Sequence, residues 1–408
     1  MAIEKIYLGI WFPRTSIHLK EIYRFLRYKE TLSLLNDVAA EGYWKNLDVL
    51  EADYYEGEYF DFLTAKTKDV KTVFTEDGVI VNEISVGWDV KKELSQLHDF
   101  YIKKLSPALS FLFSQGAPIP KDLTRISETH PAYLVGKDLN DKNVFDLLKI
   151  FDDHILSRTS DSKLDIFNGE KITIINIKKK IKKEEDYLNE LIQNLVFFRE
   201  FEKQLANYLH IHRTIWEKIS VIRDSQSLYF KDVKKSRDEL LDILETLSFV
   251  KARLRQMRDI LKGRERSIDE DLKKHLISLG CERFSLYSSD VDYIENLWQS
   301  TIDYANSALG LINSVFEENT QKELNALRFL TLLGVIVGFF GMNVAFPWEE
   351  TWNGAAWSMW SVLAFMVVFS LISFSLIRFF IYNRRFSLHK KKEKVVSKSE
   401  EEQNESKE

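Results

Sequence analysis

The chain has 408 residues, is 45% hydrophobic and 29% charged, and carries a formal net charge of −5. That is enough apolar side chain to fill a large core, and too little charge excess for a disordered or nucleic-acid-coating protein, so no nucleic-acid partner is expected. Cys281 is the only cysteine, which excludes an intrachain disulfide and a cysteine-based zinc cluster and fits a bulk facing a reducing cytosol.

The start, MAIEKIYLGIWFPRTS, has a short apolar run, Glu4 where a leader is basic, and no small-residue cleavage site, so no cleavable signal is expected. The first ~170 residues mix periods. Alternating or β-rich runs at Lys5 to Phe12, Asp48 to Tyr54, Val70 to Phe74 and Gly78 to Ile84 alternate with helical stretches such as Lys91 to Phe113. A last strand is expected over Lys171 to Ile177. From Lys178 to Lys262 there is no glycine or proline, and Leu188, Leu191, Leu195, Phe198, Leu205 and Leu209 recur at helical spacing, which predicts long paired helices. Gly263 and the Leu279-Gly280 turn read as punctuation. From Asp290 the helical pattern runs unbroken to Met342, a helix of roughly 80 Å.

That helix turns apolar in its last third. Phe329 to Trp348 holds 20 residues without a charge, and Thr351 to Ile377 holds 27 more. Each is long enough to span a bilayer, and a buried core helix is the alternative. The loop Asn343 to Ala356 has Glu349 and Glu350 but no Lys or Arg, whereas Arg378, Arg384, Arg385 and Lys390 to Lys392 follow the second run. Positive-inside bias puts both termini in the cytosol. Trp348, Trp352, Trp357 and Trp360 supply an aromatic belt, and the Lys- and Glu-rich tail from Ser387 to Glu408 is expected to be disordered.

The outer end of the first run reads Phe339-Phe340-Gly341-Met342-Asn343. A Gly-Met-Asn triplet there, with two hydrophobic runs closing a large α/β and helical chain, resembles the CorA family of magnesium and cobalt channels. Asn325-Ala-Leu-Arg-Phe-Leu-Thr331 is similar to the family's segment at the cytosolic mouth. The likeness covers about Asp290 to Arg385. Between that Leu-Thr and the triplet the chain is about two helical turns shorter than family members and lacks their proline, and Val-Ala-Phe-Pro-Trp-Glu-Glu replaces the usual Met-Pro-Glu-Leu. The resemblance implies an α+β cytosolic domain, long helices and two C-terminal transmembrane helices. It also implies a funnel-shaped homopentameric channel in the cell membrane, lined by the first spans, and cytosolic acidic sites that sense the ion and close the gate. The expected divisions are 1–177 (α/β), 178–289 (long helices), 290–342 (stalk and first span), 343–356 (outer loop), 357–382 (second span) and 383–408 (tail).

The residues carry a reading of their own. At alternating steps of three and four, the long helix presents Asp303, Asn306, Gly310, Asn313, Glu317, Thr320, Leu324, Leu327, Thr331, Gly334, Gly338 and Gly341, all but two polar or glycine. Ile302, Ala305, Leu309, Ile312 and Phe316 flank that stripe on one side, and Ala308, Leu311 and Val315 on the other. Such a pattern suits a stave in a water-filled tube, and below Thr320 it equally suits the solvated back of a stalk. Gly334-x-x-x-Gly338 is also a small-residue packing motif. Leu324 and Leu327 would form an apolar gate ring or a packing contact. An Asn343 amide suits the hydration shell of Mg2+, the transported and regulatory cation expected here, while Glu349, Glu350 and Glu317 would concentrate cations or else stand as solvated surface. His210 and His212 lie ~200° apart on a helix and cannot clamp one ion from one chain. The basic run Lys178 to Lys183 reads as a solvated helix start, with lipid headgroups a lesser option. No phosphate loop or catalytic triad spacing is present, so no enzyme is expected. Transport of Mg2+, with Co2+ or Ni2+, leads; zinc transport by the same fold and a non-transporting membrane-anchored scaffold or sensor are the rivals.

Overall fold

The computed structural model describes residues 3–11, 18–30, 37–114, 131–224, 227–343 and 385–387, with isolated helical positions at 368, 372 and 375. The chain divides into two compact units, Met1–Ile211 with Phe249–Leu297, and His212–Ser248 with Trp298–Glu408.

The first unit is built on a nine-stranded mixed sheet. Its strands are β1 (Ile3–Trp11), β2 (Glu51–Tyr55), β3 (Phe62–Lys66), β4 (Val70–Thr75), β5 (Val79–Ser85), β6 (Ala132–Lys137), β7 (Ser157–Ser160), β8 (Leu164–Asn168) and β9 (Ile172–Ile177). They lie in the order β2-β3-β4-β5-β1-β6-β9-β8-β7, and only β6 and β9 pair in parallel. The central strands are buried on both faces, so β9 reads ITIINI without a polar-out alternation.

Helices α1 (Leu19–Tyr28), α2 (Asp37–Leu47), α3 (Val90–Phe100), α4 (Ser106–Ser114) and α5 (Asp141–Ile150) cover one face. Leu19, Phe25, Leu97, Leu109 and Leu147 pack there with Ile6, Leu8, Ile10, Leu134 and Ile174. Caps define two of the starts: Asp89 accepts from the Lys91 and Lys92 amides, and Asn140 from the Asn143 amide at 2.8 Å. A π-helical turn, Tyr101–Leu105, joins α3 to α4.

The other face receives α6 (Glu184–Asp224), α7 (Phe230–Ser267) and α8 (Glu270–Ser278). Trp11 meets Phe197 and Phe201 with ring centroids 5.2 and 5.3 Å apart, and the Arg199 guanidinium lies over the Tyr133 ring. The Arg264 Nε donates to Asp77 Oδ2 at 2.8 Å, with both side chains buried, and ties α7 to the β4–β5 turn. His275 of α8 is buried between Asp161, in the β7–β8 turn, and the Tyr187 hydroxyl. Desolvation is the largest influence on Asp161 and would raise its carboxyl. The Leu164 and Lys163 amides and the neighbouring His275 ring outweigh it and hold the group below its ordinary range.

Several expectations need adjusting. Gly263 lies inside α7 and does not end it: a Cβ there would sit 2.8 Å from Phe60 Cζ, so the glycine lets a ring from the β2–β3 connection press on the helix. Gly280 does terminate α8, with φ +64. Leu188, Leu191, Phe198 and Leu205 are buried as their spacing predicts, but Leu209 is 39% exposed. Lys178, first of the expected solvated basic run, bonds Asp165 at 2.6 Å.

In the second unit the end of α6 runs beside α9 (Phe284–Asn343). His212 Nε2 lies 2.6 Å from Thr301 Oγ1, and Trp216 stacks on Tyr304 with centroids 4.5 Å apart. Arg223 lies over the same tyrosine. Between α6 and α7 the strand β10 (Ser227–Tyr229) pairs antiparallel with β11 (Arg385–Ser387), matching Ser227 to Ser387 and Tyr229 to Arg385.

Candidate ion pathway

All the expected site residues except Glu349 and Glu350 fall on α9, a single helix of 60 residues that begins six residues earlier than its sequence pattern suggested. At 1.5 Å per residue it is ~90 Å long. Phe284, Tyr287, Val291, Ile294, Trp298, Thr301, Ala305, Ala308 and Ile312 are each buried, at unbroken steps of three and four. That is a heptad seam, and it ends at Ile312.

The polar stripe lies ~150° round the helix from this seam, on the 3.5-residue period. Asp303, Asn306, Gly310, Glu317, Thr320, Leu324, Leu327, Thr331, Gly334 and Gly338 are all exposed, and Asn313 is half-buried. The structure therefore sorts the flanking apolar residues: Ala305, Ala308 and Ile312 belong to the seam, while Leu311 is 44% exposed. A Cβ added at Gly310, Gly334 or Gly338 would meet nothing within 4 Å, so no described part of the chain uses these glycines for close packing. Thr320 and Thr331 donate their hydroxyls to the carbonyls of Phe316 and Leu327, at 3.0 and 2.9 Å. Each hydroxyl proton is thereby spent on the helix, and the oxygen lone pairs are left for the outside.

Glu318 is paired with Lys322 at 2.6 Å and lies off the stripe, whereas Glu317 is exposed on it. Gly341, Met342 and Asn343 form the last turn of α9. Glu349, Glu350, the tryptophan belt and the tail beyond Ser387 lie outside the described residues. So does the second apolar run except Val368, Ile372 and Ser375, which are helical and exposed at steps of four and three.

From Phe329 to Asn343 the described helix provides 15 apolar-rich residues, ~22 Å against the ~30 Å of a bilayer's hydrocarbon. Among the described residues no helix is long and apolar enough to cross a membrane. Nor does any group of three or more His, Cys, Asp or Glu among them come together to hold a metal ion.

Two features escaped sequence reasoning. His212 has a structural task, bonded to Thr301 and set between the rings of Trp216 and Trp298. The β10–β11 pairing joins segments about 160 residues apart through strands of three residues, too short to leave a periodic signal.

No curated protein sequence matches the chain. Among solved structures, the complete CorA magnesium transporter from Methanocaldococcus jannaschii is similar at 14% identity, covering 64% of this chain and 93% of that one, with a TM-score of 0.29. The soluble domain of CorA from the same organism is 15% identical, covering 46% and 90%, with a TM-score of 0.23. The full-length CmaX protein is 13% identical, covering 64% and 94%, with a TM-score of 0.18. Superpositions this loose place no residue of this chain. The family described as CorA-like Mg2+ transporter protein matches residues 166–383, more than half of the sequence, from β8 through α9 and both apolar runs. On that extent of match the chain belongs to the CorA-like Mg2+ transporter family, whose members are membrane transporters and not enzymes.

Proposed function

We propose that the chain is one subunit of a homopentameric channel that passes Mg2+ across the cell membrane, with α9 lining the pore. The observation that carries this reading is the far end of α9. Off the stripe, Phe329, Leu332 and Val335 are 57 to 64% exposed, and at 100° per residue they cover about 120° of the helix surface. A helix so apolar over so wide an arc is stable in lipid or against other copies of itself, and costly in water. The same helix keeps a polar and glycine stripe opposite its buried seam, as a stave facing a lumen requires.

In this reading Phe329 to Trp348 and Thr351 to Ile377 are the two spans. The β10–β11 pairing supports an even number of crossings, because it returns residues 385–387 to the side that holds residues 227–229. With the basic residues that follow the second run, this favours cytosolic termini. Gly341, Met342 and Asn343 then stand at the outer mouth, where the Asn343 amides contact the hydration shell of an ion that sheds water reluctantly. Glu349 and Glu350 raise the local cation concentration before entry. Gly338, Gly334, Thr331, Thr320, Glu317 and Asn313 line the path, with hydroxyl lone pairs and a carboxylate available to cations. Leu324 and Leu327 form an apolar ring that blocks ions by dewetting. Mg2+ also serves as the regulatory ligand, and Co2+ or Ni2+ are further cargo.

Uptake of Mg2+ into liposomes holding the purified chain tests the proposal. Saturable uptake that Co2+ inhibits more strongly than Zn2+ supports it. Preferential Zn2+ uptake favours the zinc reading, and membrane insertion without flux leaves the scaffold.

A further inference from the structure

We propose that the tip of the α6–α7 hairpin is a headgroup-binding surface for anionic phospholipid, held against the membrane by the β10–β11 pairing. This rests on the reading of the two apolar runs as spans. β11 begins eight residues after Ile377, and its pairing brings Tyr229 opposite Arg385, so the hairpin tip stands beside the chain as it leaves the second run. α6 runs alongside α9 in the same sense, from the His212–Thr301 contact to the Trp216–Tyr304 stack, so its C-terminal end lies toward the apolar end of α9.

Charge changes sign along α7 in register with that placement. Its first turns beside β10, residues 231–237, hold Lys231, Lys234, Lys235 and Arg237 against one acid, Asp232, and Lys234, Lys235 and Arg237 are exposed. From Asp238 to Val250 follow Asp238, Glu239, Asp242 and Glu245, with no Lys or Arg. Within the fold, Lys235 has a loose contact with Glu239 at 3.8 Å, and the Arg237 guanidinium lies 5.9 Å from the Phe316 ring centroid. Phe316 precedes Phe329 by 13 residues, ~20 Å along α9, and Lys234 is about one turn nearer the membrane. The headgroup layer occupies about 5–8 Å of that gap, which leaves the cations within roughly a Debye length of the lipid phosphates. A fivefold subunit ring would multiply the surface. On α7 the net positive stretch thus sits where an anionic leaflet begins and the net negative stretch sits farther from it, the distribution that attraction to such a leaflet favours.

The test is binding of short-chain phosphatidylglycerol, phosphatidylcholine and inorganic phosphate to the full chain in neutral detergent. Phosphatidylglycerol should bind at least tenfold tighter than phosphatidylcholine, with an affinity that falls as salt is added. In K234Q/K235Q/R237Q that preference should fall to near parity, and K234R/K235R should keep it. Equal affinity for the two lipids in the parent overturns the inference, as does an undiminished preference in the folded glutamine variant. Competition by phosphate as effective as phosphatidylglycerol also overturns it, by assigning the surface to a free anion. Mg2+ uptake measured on the same preparations separates the two proposals: lost lipid preference with normal uptake removes only this one, and lipid preference without uptake removes only the transport reading.

Discussion

Replacing Arg264 with methionine should be among the most damaging single changes in the sheet-bearing unit. The Arg264 and Asp77 side chains are 5% and 0% exposed and 2.8 Å apart. Asp77 also accepts from the Thr75 hydroxyl, its carbonyl accepts from Trp11 Nε1 at 2.9 Å, and the guanidinium lies 5.0 Å from the Phe197 ring centroid. Methionine keeps much of the stem packing and removes the charge, so what is lost is the partner of a buried carboxylate. Breaking a buried pair in this way costs about 3–5 kcal/mol. For a unit of this size that is a fall of about 6–20 °C in the first thermal transition. Far-UV circular dichroism of the full chain in detergent reads the transition. The double variant D77N/R264M removes both charges and should recover at least half of the loss, because an amide can still bond Thr75. A shift worth less than about 1 kcal/mol for R264M, or a double-variant cost equal to the sum of the singles, would refute the coupling.

Three further outcomes are expected. Asp153, Asp161 and Asp165 are held below the ordinary carboxylate range: burial alone would raise them, but amide donors, Lys178 and His275 outweigh it. Their stabilisation is therefore present above about pH 4 and should be lost as pH falls through their depressed values; acid titration of D161N should show a shallower loss than the parent, and an identical curve would count against it. Serine at Leu324 or Leu327 should raise basal Mg2+ flux per assembled channel by wetting the constriction, whereas serine at Phe329 or Leu330 should lower the amount assembled; unchanged unit flux in L324S and L327S would make the stripe a packing seam. A cysteine at Asn353 should label from outside intact cells, and labelling only after permeabilisation would reverse the proposed topology.

How much of this was legible in the sequence depended on length. The glycine- and proline-free stretch after Lys178 and the long pattern ending at the triplet became α6, α7 and α9, since dozens of residues averaged out local noise. Strands β1, β4, β5 and β9 were legible through their β-branched runs. Short elements were not: β7 is the polar edge sequence SRTS, β3 adjoins a loop rich in aromatic and acidic residues, and β10 exists only through its pairing partner. The interruption read at Gly263 failed because a tertiary contact with Phe60 decides that position. On α9 the polar stripe and its apolar flanks were visible, but the buried seam draws Ala305 and Ala308 from both flanks and adds Tyr287 and Thr301, whose polar groups hide their burial. The stripe could be found from sequence, and which face packs could not.

The central claim is that Mg2+ passes the ring of residues at the end of α9. Potential-driven Mg2+ uptake into liposomes should be measured side by side for the parent chain and N343A, with equal amounts of assembled protein in the membrane. The account predicts saturable uptake by the parent, and in N343A either loss of uptake or loss of discrimination between Mg2+ and other cations, because the amide acts on the hydration shell and not on packing. Parent-like rate and selectivity in N343A would contradict it.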